Sequence, residues 1–207
     1  TVAAAITVLA ESSGFVIDRS SALVVSPIVG GFESITESQM LTGKNYAAYG
    51  ADGRWEIIQF ATVVPQQNGE LKLTTLVRGL RGTEWASGLH RFGDYVVLLD
   101  DPDNVLITTD VGSLMVPMEF KAVTVGQSAG DIQAFNFSYK GVNLKPLSPV
   151  LAKKSLMGND IQISWVARTR YTSSYWVTGA QPRNEDVMVW EVDIYNGANV
   201  VRRLNSS

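Results

Sequence analysis

Apolar and polar residues alternate with a period of two along much of the chain. Trp55-Glu56-Ile57-Ile58-Gln59-Phe60-Ala61-Thr62-Val63-Val64 is a β-branched and aromatic run, ended by Pro65 and the turn-prone Gln67-Asn68-Gly69. Glu70 to Val77 follows, with Leu71 and Leu73 on one side and Lys72 and Thr74 on the other, the pattern of a half-buried strand. Asn68 and Gly69 reach positive φ at low cost, so the two runs are predicted to form a hairpin. Shorter strands are predicted at Phe15–Ile17, Ala22–Val25, Tyr95–Leu99, Val105–Thr108, Glu119–Val125 and Phe135–Tyr139. No segment carries three turns of helical periodicity, and Glu84 to Leu89 offers at most a single turn. The fold class is all-β, with an irregular β-barrel or sandwich over residues 1–144.

A boundary is predicted at Lys145-Pro146-Leu147-Ser148-Pro149, because prolines at this spacing cannot run inside a central strand. The alternation restarts beyond it. Ile161, Ile163 and Trp165 share one face of Asp160–Arg168, and Val187–Tyr195 alternates again before the turn Asn196-Gly197. A core Trp165 facing a second alternating strand is the pattern of a fibronectin type III-like sandwich. Such a domain needs about seven strands in ~100 residues, so residues 150–207 supply only its first strands. Either the chain was cut or other chains complete it. Its start at Thr1 instead of methionine also reads as a fragment or a processed chain.

Composition narrows the classes. The chain has 207 residues, 45% of them hydrophobic and 18% charged, enough for a real core and unlike a disordered segment. A formal net charge of -3 argues against direct nucleic-acid binding, which rests on lysine and arginine neutralising phosphates. The absence of cysteine removes disulfides, a thiol nucleophile and thiolate metal sites. The apolar opening, Val2 to Ala10, has no basic flank and is too short to span a bilayer, so a soluble chain without a membrane span is expected.

Few residues point to chemistry. His90 is the single histidine, no Gly-x-Ser-x-Gly elbow occurs, and a structural role at the start of a strand is expected. Asp100-Asp101-Pro102-Asp103-Asn104 lacks the spacing of a calcium loop and reads as an Asx-rich turn, so no metal or cofactor is expected. Glu56 and Glu84 are a formal acid pair for glycoside hydrolysis, but pairing with nearby arginines is the simpler use. Arg78-Gly79-Leu80-Arg81-Gly82-Thr83-Glu84 is the most informative stretch. Its glycines allow sharp turns and close backbone approach, and its arginines can fork onto carbonyls or carboxylates to clamp an irregular crossover. The alternative is an anion site, with arginines and glycine amides cradling a phosphate or sugar acid.

This motif also carries a resemblance. Asn45-Tyr46-Ala47-Ala48-Tyr49-Gly50, Glu56–Phe60, Leu76–Glu84 and His90–Leu99 resemble, in order, the C-terminal part of large tail-tip (baseplate hub) proteins of long-tailed phages and gene transfer agents. Leu144–Val150, Ile163–Arg170 and Glu191–Ile194 are similar to that family's linker and fibronectin-type module. The resemblance implies a non-enzymatic virion protein that forms a ring, most often a homotrimer, at the tail tip. There it contacts other tail-tip and tail-tube proteins and takes part in host attachment and DNA delivery, and is extracellular after release. It supplies no catalytic residue. Sheet edges and the aromatics Tyr46, Tyr49, Tyr171, Tyr175 and Trp176 are the expected docking surfaces. A second reading makes Tyr171, Tyr175 and Trp176 contacts for a host-surface glycan, the mark of a carbohydrate-binding receptor-recognition module. A third, hydrolysis through Glu56 or Glu84, is the weakest.

Overall fold

Six strands of the N-terminal half close on one another. The computed structural model describes residues 1–12, 14, 16–170 and 185–206. Its strands are β1 (Val2–Ala5), β2 (Ile17–Asp18), β3 (Leu23–Val29), β4 (Tyr46–Gly50), β5 (Glu56–Pro65), β6 (Leu71–Leu80) and β7 (Tyr95–Leu98). The order β6-β3-β1-β7-β4-β5 returns to β6 through the β5–β6 pairing, giving a closed six-strand antiparallel barrel with β2 added on β6. Closure removes the open edges that a flat sheet of these strands would present.

Period two explains the filling of the barrel. Ala3 and Ala5 on β1, Leu23 and Val25 on β3, Ala47 and Tyr49 on β4, Ile58 and Phe60 on β5 and Val96 on β7 point inward and form one cluster. Small alanines share this cluster with the large rings of Tyr49 and Phe60. On β6 the members of this cluster are Leu73 and then Leu76, a step of three. Thr75, between them, stands at φ 57°. It lies where the edge of β6 passes from β3, paired at Leu71 to Leu73, to β2, paired at Leu76 and Val77. A β-branched residue at positive φ is a true backbone outlier, and here it resets which residues face the core.

The β5–β6 turn follows the predicted chemistry, with Asn68 at φ 63° and Gly69 at φ 77°. A five-residue helix, α1 (Glu37–Leu41), is too short to leave a periodic signal in the sequence. Thr36 and Gln39 close a capping box at its start, and the Gln59 side chain donates to Met40 O at 2.6 Å and Lys44 O at 2.8 Å at its end.

The chain divides into two compact units, Thr1–Lys145 and Pro146–Ser207, inside the proline-rich segment. In the first unit the barrel is followed by one hairpin, β8 (Pro117–Phe120) with β9 (Phe135–Ser138). The expected strand at Val105–Thr108 does not form, and Val105 and Leu106 are exposed. The expected strand at Glu119–Val125 ends at Phe120. The second unit has two hairpins, β10 (Val150–Met157) with β11 (Asp160–Val166) and β12 (Trp190–Asn196) with β13 (Asn199–Ser206). Trp165 meets Trp190 edge-on at 5.9 Å, but it is half-buried and not the enclosed core residue expected. Ile161 and Ile163, on the face expected to be buried, are 60% and 39% exposed. Among the described residues of this unit there are four strands in two hairpins, against the seven of a complete sandwich.

The contrast between the barrel and the later segment is measurable. Phe60→Ala is expected to lower stability by about 3–5 kcal/mol in urea unfolding followed by tryptophan fluorescence, whereas Val105→Ser should change it by less than about 0.5 kcal/mol.

Candidate functional site

A carboxylate lies at one end of the barrel interior. Glu56 opens β5 with the same parity as Ile58 and Phe60, so its side chain enters the core and is fully buried. The residue that meets it comes from an irregularity in β6. Ile57 pairs with Leu80 and Gln59 with Val77, so Arg78 and Gly79 together oppose Ile58. This bulge, with Gly79 at φ 61°, breaks the alternation and aims Arg78 at Glu56. A Cβ on Gly79 would stand 2.8 Å from Glu84 Cγ, so glycine is required on two counts.

Four hydrogen bonds converge on the carboxylate. Oε1 accepts from Arg78 Nε at 2.8 Å and from the Gly79 amide at 2.7 Å. Oε2 accepts from Arg78 Nη2 at 2.8 Å and from His90 Nε2 at 2.6 Å. Burial pushes the Glu56 carboxyl up, but the bonds from His90 and Arg78, the guanidinium charge and the Gly79 amide outweigh it and hold it below the usual carboxylate range. An ionised carboxylate accepts only, so His90 carries a proton on Nε2. Its Nδ1 has no hydrogen-bond partner and lies 3.7 Å from Asp94 Oδ2, too far for a good bond. The ring stacks on Tyr49 at 3.8 Å, and burial pushes the Tyr49 hydroxyl up to about 12.

The cluster ties distant segments together. Arg78 also donates to Ala10 O at 3.3 Å and to Ser87 Oγ at 3.2 Å, and Ser87 Oγ accepts from the Ser12 amide at 3.0 Å. Alongside, Asp94 accepts from both terminal nitrogens of Arg54, at 3.1 and 3.0 Å, and from the Arg91 amide at 2.9 Å. Burial pushes the Asp94 carboxyl up, and Arg54 and the Arg91 amide bring it below its ordinary value. Thr83 Oγ1 donates to Leu80 O at 2.6 Å and accepts from the Ile57 amide at 2.8 Å, fastening the crossover to β5. Every acceptor position of Glu56 is taken, which leaves none to draw a proton from a substrate. The arrangement holds a chain crossover in place.

The residues singled out in the sequence divide accordingly. Arg78, Gly79 and His90 are in the cluster, Thr83 braces it, and Glu84 packs beside Gly79. Arg81 points elsewhere, with its guanidinium carbon 5.7 Å from the Tyr46 ring centre, and Gly82 completes the turn at φ 80°. Glu56 and Glu84 do not form an acid pair, because Glu56 is spent on Arg78 and His90. Tyr49, expected on a docking surface, is instead fully buried, and Tyr46 is half-buried. Tyr171, Tyr175 and Trp176 lie outside the described residues. In the acidic loop, Asp100 accepts from the Asn45 amide at 2.9 Å and Asp101 from the Asp103 amide at 3.0 Å, the bonding of a turn. Among the described residues no group of three or more His, Cys, Asp or Glu could hold a metal, and no helix is long and apolar enough to cross a membrane. Ser87 and the Asp94–Arg54 pair were not foreseen. The signal for Glu56 was its parity with Ile58 and Phe60.

Residues 1–97 match the family described as Rcc01698-like, C-terminal. No curated protein and no solved structure matches the chain. The family match covers β1 to the third residue of β7, and so nearly the whole barrel.

Two outcomes follow from the cluster. Glu56→Gln leaves the Arg78 guanidinium buried without its counter-charge and is expected to cost about 3–5 kcal/mol in denaturant unfolding. The Glu56 carboxyl titrates below the unfolded value of about 4.3. Its contribution is therefore complete above that value and is lost as pH falls through the folded pKa. Urea midpoints measured from neutral to acid pH should stay level and then drop below about pH 4.3, with a shallower drop in Glu56→Gln.

Proposed function

We propose that this chain is a structural assembly module of a tail-tip (baseplate hub) particle of the phage or gene-transfer-agent type, held by neighbouring subunits and performing no catalysis. One observation carries the reading: among the described residues after the barrel, a loop and two-stranded hairpins leave large apolar side chains facing solvent. Val105 is 89% exposed, Leu106 85%, Phe135 67% and Leu156 75%. A lone two-stranded hairpin is marginal in water and needs a further surface to bury its apolar side. Copies of this chain and other tail-tip and tail-tube proteins are the partners that the ordered motifs from Asn45 to Ile194 imply. The barrel supports the same reading, since its buried charges are committed to holding its own strands.

Ring assembly makes such contacts heterologous, one patch meeting a different patch on the next copy. Sedimentation velocity over a range of concentrations should detect association, trimers being the species expected. Leu106→Asp combined with Phe135→Asp should weaken that association at least tenfold while the barrel's thermal midpoint stays unchanged. A monomer at every concentration, with no binding of an apolar-surface dye, would overturn the proposal.

A further inference from the structure

On the loop that joins β6 to β7, Phe92 stands 74% exposed beside the exposed Arg91. After the barrel, Ile107, Thr109, Phe120, Phe135 and Phe137 line a cavity of about 350 Å³. We infer that Phe92 of one copy of this chain inserts into this cavity on the next copy. The contact presupposes the assembly proposed above and names the two surfaces that meet.

The loop is held so that it presents this side chain. Ala86, Ser87 and His90 are buried, which fastens the chain to the barrel just before Phe92. Arg54 Nη1 donates to Leu89 O at 2.6 Å, the Arg91 amide donates to Asp94 Oδ2 at 2.9 Å and the Gly93 amide donates to Ala5 O at 2.8 Å. The backbone on both sides of Phe92 is therefore pinned, and little freedom remains to be lost on docking. Aromatic side chains and arginine are the residues that protein interfaces favour, and Arg91 and Phe92 are neighbours here.

The cavity suits a phenyl ring. Phe120 and Phe135 are directly paired across β8 and β9, and Phe120 meets Phe137 edge-on at 6.3 Å, so three rings share one face of the hairpin. A fourth ring entering there finds aromatic faces and edges to pack against. Thr109 is the one polar residue of the lining, so a charged occupant would lose its water without compensation. Charge points to a second copy as the source of the ring. Arg91 has no side-chain hydrogen bond or ion pair among the described residues, whereas the nearby Asp94 is committed to Arg54. From Asn104 to Phe120 the chain carries Asp110, next to Thr109, and Glu119, next to Phe120, and no basic residue. Lys121, just beyond, donates to Ala129 O at 2.8 Å. The free cation beside Phe92 thus matches an acidic surround at the cavity, which steers approach and fixes register. Ring and cavity are different patches, each copy offers both, and the contact is heterologous, as a closed ring of subunits requires.

The test is sedimentation velocity of the full 207-residue chain. Phe92→Ser and Phe135→Ser should each weaken self-association by about tenfold or more, and Arg91→Glu by about threefold or more, with thermal midpoints unchanged. Mixing Phe92→Ser copies with Phe135→Ser copies leaves one intact ring and one intact cavity per pair. Dimers should then form at concentrations where neither variant associates alone. The chain has no cysteine, so a second measurement is clean: Phe92→Cys copies mixed with Thr109→Cys copies should give disulfide-linked heterodimers on oxidation. Wild-type monomers at every concentration would remove the assembly reading and this contact with it. Association unchanged in Phe92→Ser, or mixed copies that neither dimerise nor cross-link, would remove this contact alone.

Discussion

The Glu56–Arg78 ion pair is the constraint around which the barrel is arranged. Removing two charges from water costs several kcal/mol per ion, and attraction alone rarely recovers it. Here the remaining valences are also satisfied. Glu56 gains the Gly79 amide and His90, and Arg78 gains Ala10 O and Ser87 Oγ. The result is less a source of net stability than a lock on one arrangement: residues 10–12, the start of β5, the bulge of β6 and the loop at 87–90 must all be in place together. A hydrophobic replacement would not distinguish this register of β5 on β6 from its neighbours.

The same logic explains the backbone irregularities. Thr75 and Gly79 both take positive φ within one strand. The first moves the inward position from an expected Thr75 to Leu76, and the second lets Arg78 occupy the core side at the bulge. Local strain in β6 is offset by closure of the barrel.

Beyond β7 the balance changes. Core residues are dense up to Val96, and the large apolar side chains after it are mostly exposed. Residues 1–97, which match the Rcc01698-like C-terminal family, coincide with the part that buries its own apolar surface. Among the described residues, the later hairpins keep the alternating pattern of half-buried strands while leaving large apolar side chains exposed, which is why the assembly reading rests on them.

Alternation and turn chemistry determined the β5–β6 hairpin, the all-β class and the break near Pro146, because each depends on neighbours within a few residues. Glu56 shares the parity of Ile58 and Phe60, a signal recognised only once its burial was seen, and the Arg-Gly spacing marked a clamp. What they left open was which groups meet. The pairing of Glu56 with Arg78 and His90, the burial of Tyr49 and the exposure of Val105 to Thr108 depend on how strands far apart in sequence close into a barrel. A run of apolar residues has the same local pattern whether or not another layer covers it. Only closure, a non-local event, decided which faces became core.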